Sequence, residues 1–121
     1  MSTCDRLQCD TSLPQGFSIV SNNKMYYLKV QEDGNLVLYD ISGKALWASN
    51  TNEKGSGPYY LRMHLDGNLC LYGQNNSLIW ETKTHRIGTA PYQIKIQDDG
   101  NCCLYDTTGK CTWATNTYQN N

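Results

Sequence analysis

At 121 residues the chain is long enough for one domain with a thin core. A formal net charge of −1 and a pI near 6.0 leave no electrostatic footprint for nucleic acid or an anionic membrane. No apolar run reaches the roughly 18 residues of a membrane span, so neither nucleic-acid binding nor membrane insertion is expected.

The first 25 residues stand outside the pattern that fills the rest of the chain. Met1 to Gln15 is polar and has none of the apolar stretch of a secretory signal. The expectation is a chain that stays in the cytoplasm, is secreted by an unconventional route, or is already a mature form. Phe17, Ile19 and Val20 predict one extra strand, either completing the sheet of the last unit or covering an edge.

From Tyr26 onward a 33-residue unit recurs three times without insertion, over about 26–51, 59–84 and 92–117. Trp47, Trp80 and Trp113 keep the period, as do Tyr39, Tyr72 and Tyr105 and the tripeptides that begin at Asp33, Asp66 and Asp99. A fixed period marks units that stack or are arranged radially. Each unit opens with a strand-like run: Tyr27 to Val30, Tyr60 to Met63, Gln93 to Ile96. An Asp-Gly-Asn tripeptide follows, then an apolar run to tyrosine: Leu36 to Tyr39, Leu69 to Tyr72, Cys102 to Tyr105. Turns at Ser42-Gly43, Asn75-Asn76 and Thr108-Gly109 lead into a third short strand ending at tryptophan, and turn-rich links (Asn52 to Gly57, His85 to Ala90) join the units. These are hairpin signals, and no window carries a sustained 3.6-residue apolar period. The prediction is an all-β domain spanning 1–121, its three units packed about a common axis. The tryptophans are expected to meet near that axis. A sugar-stacking role for them is the weaker reading, because Leu46 and Ile79 beside them read as structural.

The six cysteines fall unevenly on the repeat. Cys70 and Cys103 occupy the position of Val37, Cys102 that of Leu36 and Leu69, and Cys111 that of Ala45. Replacing apolar residues, these four read as small buried hydrophobes. Cys4 and Cys9 lie outside the repeat and leave a bridge open. No spacing fits a zinc site, and no metal or other cofactor is expected.

Strand alternation places Gln31, Asp33, Asn35, Val37 and Tyr39 on one face, with Leu36 and Leu38 on the core side. Such a row of amide, carboxylate, amide, small apolar group and phenol matches the mixed donors and acceptors of a sugar ring, with an apolar patch for its C–H groups. Asp, Gly and Asn also favour tight turns, so the tripeptide alone reads equally well as a turn. A turn by itself leaves unexplained the glutamines at 31 and 97 and the constant register of the tyrosines.

Gln31-Glu32-Asp33-Gly34-Asn35-Leu36-Val37-Leu38-Tyr39 resembles the Q-x-D-x-N-x-V-x-Y motif of the monocot mannose-binding (bulb-type or lily-type) lectin family. The resemblance covers nearly the whole chain after Phe17 and extends to animal members such as those of fish skin mucus. It implies a β-prism II fold: three antiparallel four-stranded sheets around a pseudo-threefold axis, one sugar site on each. It also implies roles. Asp33 and Asn35 would hold the axial 2-hydroxyl of mannose, Gln31 the 3-hydroxyl and Tyr39 the 4-hydroxyl, with Val37 against the ring. Gln97, Asp99, Asn101 and Tyr105 match in the third site, where Cys103 replaces Val and keeps its size. In the second site Asp66, Asn68 and Tyr72 match, but His64 replaces Gln and Cys70 replaces Val. The changed reach of histidine predicts a second site about tenfold weaker, the worth of roughly one hydrogen bond. The family disulfide, whose cysteines fall at Gly34 and near Tyr59, is missing.

The function implied is a lectin that recognises terminal α-D-mannose on glycans and glycoproteins, multivalently and as a homodimer, with a role in defence. Its alternative is a sugar-inert β-prism that acts through protein–protein contacts. An enzyme is not expected. No nucleophile-elbow, zinc-protease or phosphate-loop motif occurs, His64 and His85 have no partner nucleophile, and Asp98 and Asp99 are sequence neighbours that face opposite ways on a strand. Asn75-Asn76-Ser77 is a glycosylation sequon, idle without secretion. The short polar tail, Tyr118 to Asn121, gives little material for the C-terminal strand exchange by which the family often dimerises.

Overall fold

A computed structural model describes residues 4–119 of the chain. Twelve strands follow in order: β1 (Arg6–Gln8), β2 (Thr11–Pro14), β3 (Ser18–Val20), β4 (Tyr26–Val30), β5 (Leu36–Asp40), β6 (Ala45–Ala48), β7 (Tyr60–Met63), β8 (Leu69–Tyr72), β9 (Leu78–Glu81), β10 (Gln93–Ile96), β11 (Cys102–Tyr105) and β12 (Cys111–Ala114). They form three four-stranded sheets, β3-β4-β5-β6, β2-β7-β8-β9 and β1-β10-β11-β12, antiparallel throughout. This is the all-β, three-sheet architecture expected of a β-prism II.

Alternation decides which way each sheet faces. In β4, Tyr26, Leu28 and Val30 are buried while Tyr27 and Lys29 are half-exposed; Leu61 and Met63 in β7, and Ile94 and Ile96 in β10, repeat the pattern. The central strands β5, β8 and β11 are covered on both faces at their apolar positions, with Leu38, Leu71 and Leu104 fully buried. The core therefore lies where three leucine-lined sheets meet. Nearby, Trp47, Trp80 and Trp113 form a triad with ring centroids 5.4–5.6 Å apart and interplanar angles of 66–77°. Edge-to-face contact of this kind is the favoured aromatic arrangement, and each ring packs against the buried cluster.

The lead departs from expectation. It supplies three strands, one to each sheet, in reverse order: β1 joins the third unit, β2 the second and β3 the first. The strand at Ile19 and Val20 thus completes the first sheet, with Ile19 opposite Leu28. Leu7 sits opposite Ile94, and Leu13 opposite Leu61. Each lead strand carries a single core residue, buried to 1–8% exposure, which is too little to show as a periodic signal.

All six cysteines are free thiols. Cys70, Cys102 and Cys103 are buried, but Cys111 is exposed, contrary to the reading of it as a buried hydrophobe. It shares the edge-strand position of Ala45, which is exposed as well. Where the resemblance puts a disulfide, a tyrosine ring lies on a glycine instead. A Cβ at Gly34 would stand 2.9 Å from Cζ of Tyr59, and Gly67–Tyr92 and Gly100–Tyr26 repeat the contact at 2.7 and 3.1 Å. Each of these glycines has φ near +92°, the left-handed region that L side chains avoid. Each unit is thereby closed onto the ring of another. At the C-terminus, the Gln119 amide donates to the Asp99 carbonyl at 2.6 Å, so the described tail folds onto its own chain; Asn120 and Asn121 lie outside the described residues.

Candidate functional site

The Asp-Gly-Asn segments are turns, and the turns carry the site. Gln31 N–H donates to Asn35 O at 2.9 Å and Gly34 N–H to Gln31 O at 3.2 Å, so the segment closes before β5 begins. Strand alternation therefore applies only from Leu36, and Gln31, Asp33 and Asn35 are placed by the turn. The Asp33 carboxylate accepts from the Asn35 amide at 2.9 Å, an Asx turn that recurs at Asp66/Asn68 and Asp99/Asn101 with the same length. Only one oxygen of each exposed aspartate is used in this way. From behind, the amides of Glu53, Arg86 and Gln119 donate to the carbonyls of Asp33, Asp66 and Asp99 at 2.6–2.7 Å and pin each turn.

Each asparagine is oriented by one hydroxyl and one backbone amide, supplied by a pair of hydroxyl residues that the motif does not contain. Asn35 Oδ1 accepts from Ser49 Oγ at 3.1 Å and from the Thr51 amide at 3.2 Å. Thr82 and Thr84 do the same for Asn68, and Thr115 and Thr117 for Asn101. The second hydroxyl of each pair donates to the glycine carbonyl of its turn at 2.7–2.8 Å. With Oδ1 held by these donors, Nδ2 is the group left to bond elsewhere. Among the described residues nothing accepts from Nδ2 of Asn35 or Asn101. These hydroxyl residues keep the 33-residue period, so the repeat itself carried the signal for them.

The rest of each motif converges on the same place. Gln31 Nε2 donates to the Tyr39 hydroxyl, and Gln97 Nε2 to that of Tyr105. In the second unit His64 Nε2 lies 2.7 Å from the Tyr72 hydroxyl, so histidine takes over the glutamine's contact with tyrosine. Val37, Cys70 and Cys103 are each 3% exposed and line the floor. Burial, reinforced by the neighbouring thiols of Cys70 and Cys103, pushes the phenols of Tyr72 and Tyr105 up to about 12, so both are neutral hydrogen-bond donors at physiological pH. Burial likewise raises the Cys103 thiol to about 11, which keeps it an apolar floor. Tyr27 stacks on Tyr39 and Tyr60 on Tyr72, both at 5.2 Å and 27°, whereas the third unit has Gln93 opposite Tyr105.

The fifteen residues read from the sequence thus gather in three corresponding groups, five to a sheet, with Val37, Cys70, Cys103 and Asn68 buried within them. Cross-strand register adds two neighbours to each floor residue: Lys29 and Ala48 flank Val37, Arg62 and Glu81 flank Cys70, and Lys95 and Ala114 flank Cys103. The first and third faces can offer carboxylate, amide and phenol groups to vicinal hydroxyls at once. The second differs. There Asn68 Nδ2 is taken, donating to Glu81 Oε1 at 3.0 Å and to Cys70 Sγ at 3.2 Å.

Neither a protein-family model nor a curated protein matches the chain. Solved structures do. A monomeric monocot mannose-binding lectin from Gastrodia elata is 38% identical, with 97% of this chain and 99% of that one covered and a TM-score of 0.86. The Polygonatum cyrtonema lectin, solved in complex with a monomannoside, is 40% identical over 96% and 99% of the two chains, with a TM-score of 0.76. The mannose-specific agglutinin of snowdrop (Galanthus nivalis) bulbs, complexed with methyl-α-D-mannoside, is 32% identical over 96% and 99%, with a TM-score of 0.75. Identity at this level over essentially the full length, with the close structural likeness, places the chain in the monocot mannose-binding lectin family.

Proposed function

We propose that residues 1–121 act as one lectin domain that binds terminal α-D-mannose through its first and third faces. The observation that carries this reading is the Nδ2 of Asn35 and Asn101, unengaged among the described residues, each beside an aspartate with one oxygen unused and a tyrosine held by glutamine. A hexose hydroxyl can accept from the amide and donate to the carboxylate in a single placement. Asp33, Asn35, Gln31 and Tyr39 supply the hydrogen bonds of the first site, over Val37. Asp99, Asn101, Gln97 and Tyr105 supply those of the third, over Cys103.

Both faces are open, so a single site should be weak, about millimolar or roughly −4 kcal/mol. Useful avidity then comes from several faces engaging one glycan-coated particle, and a homodimer doubles their number. The lectin acts by binding rather than catalysis. Asp98, the one carboxylate beside the third motif, is engaged with Asn23, whose amide donates to it at 2.9 Å. Nothing on the first or third face favours the sugar-inert alternative.

The double variant Asp33→Ala/Asp99→Ala tests the assignment. It should lose retention on mannose-agarose while keeping the circular dichroism and thermal transition of the parent. Full retention by a folded double variant would refute it.

A further inference from the structure

The second face is built for a different ligand, and one residue makes it so. The tryptophan that ends each repeat is followed by Ala48, Glu81 and Ala114. Alanine leaves the asparagine's donor free. Glutamate at the same register position places Oε1 3.0 Å from Nδ2 of Asn68. The donor that would meet a neutral sugar's hydroxyl is therefore occupied within the protein, and Asn68 itself is only 8% exposed.

Glu81 also changes the charge of the face. Its second oxygen accepts from nothing among the described residues, and it has no basic partner within ion-pair distance there. The nearest cation in its cross-strand row is Arg62, but that guanidinium turns the other way, donating to Asp10 and, at 3.0 Å, to Ser12. Asp66 retains its unused oxygen on the adjoining turn. The outcome is a face rich in acceptors, with two carboxylates, a committed amide, and the phenol and imidazole of Tyr72 and His64 beside them. On the Asx turn and the tyrosine it otherwise matches the first and third faces, and it shares a cysteine floor with the third.

We propose that Glu81 is the specificity-determining residue of the second face: it excludes neutral mannosides and admits a protonated 2-amino sugar. An ammonium at the sugar's C2 donates where a hydroxyl would have needed to accept from Asn68. It also places a positive charge between Asp66 and Glu81, and charge-assisted hydrogen bonds are about twice as strong as neutral ones. The inference rests on the reading of the faces as sugar sites, which the first and third faces test independently.

The experiment is an NMR titration of labelled protein at neutral pH, parent and Glu81→Ala, following the backbone amides of Asn35, Asn68 and Asn101. The probes are methyl α-mannoside, mannosamine and N-acetylmannosamine, the last having a neutral amide in place of the ammonium. In the parent, Asn68 should saturate with mannosamine at a concentration at least tenfold below that for either neutral sugar. In Glu81→Ala that preference should vanish, and methyl α-mannoside should bind the second face within about tenfold of the first, the remainder being the cost of His64. Equal responses of Asn68 to charged and neutral sugars in the parent, or an unchanged preference in Glu81→Ala, would overturn the inference while leaving the mannose sites standing. Silence of Asn35 and Asn101 towards methyl α-mannoside would instead overturn the reading beneath it.

Discussion

Asn35 and Asn101 contribute through orientation as much as through identity. A free asparagine presents its oxygen or its nitrogen with equal ease; here Ser49 and Thr51, or Thr115 and Thr117, hold the oxygen and leave the nitrogen without a partner among the described residues, available to the proposed ligand. Thr51 is buried, and its hydroxyl also bonds the Gly34 carbonyl at 2.7 Å. Thr51→Val and Thr117→Val should therefore each cost about 1–2 kcal/mol of stability and weaken mannose binding at their own face several-fold, read by denaturant unfolding and by titration. If affinity is unchanged, the first hydroxyl and the backbone amide fix the asparagine without help from the second hydroxyl. The motif residues were legible because they recur at one spacing, and Ser49 and Thr51 recur as plainly. What the letters cannot convey is which way an amide points, since that depends on partners brought together across a sheet. Glu81 was legible in principle as the one acid among alanines, but its consequence appears only once its oxygen is seen on Asn68.

Among the elements, the turn from Gln31 to Asn35 carries the main departure from expectation. Period-two alternation puts Gln31, Asp33 and Asn35 on the face they do occupy, yet by a geometry that is not a strand. Turn chemistry and ligand chemistry draw on the same residues, because the carboxylate that caps the turn has a second oxygen to offer. A related device anchors the last link. Asp106 accepts from the Thr108 hydroxyl at 2.7 Å and from the amides of Thr108, Lys110 and Thr89 at 2.9 Å, tying the link before β10 to the turn after β11. Those bonds, the Thr108 hydroxyl foremost, hold its carboxyl at about 2, below the ordinary 3.8. A depressed carboxylate stabilises the fold above its unfolded value and loses that contribution as pH falls through the folded one. Asp106→Asn should accordingly lower Tm above about pH 5, and the gap should close between 3.8 and about 2. A gap independent of pH would show that shape rather than charge is what matters there. The lead strands β1, β2 and β3 were the least legible elements: a strand of three or four residues with one core side chain has no period to read.

For the whole molecule, the repeat predicts threefold likeness and the structure supplies it in the sheets, the tryptophan triad and the glycine–tyrosine closures. The faces are nonetheless unequal. His64, Cys70 and Glu81 all fall on the second, while the first keeps the full motif and the third changes only its floor. Three corresponding faces on one molecule suit a surface crowded with glycans better than a single small ligand, and the weak single-site binding proposed for them would call for multivalent use. Mannose binding by two of the three faces is the proposal on which the rest depends. Its most direct test is the titration of the parent protein with methyl α-mannoside alone, read at the amides of Asn35, Asn68 and Asn101 in one sample. Saturable shifts at Asn35 and Asn101, at about millimolar sugar, with little change at Asn68, are the predicted result. A folded protein in which neither Asn35 nor Asn101 responds would contradict the account.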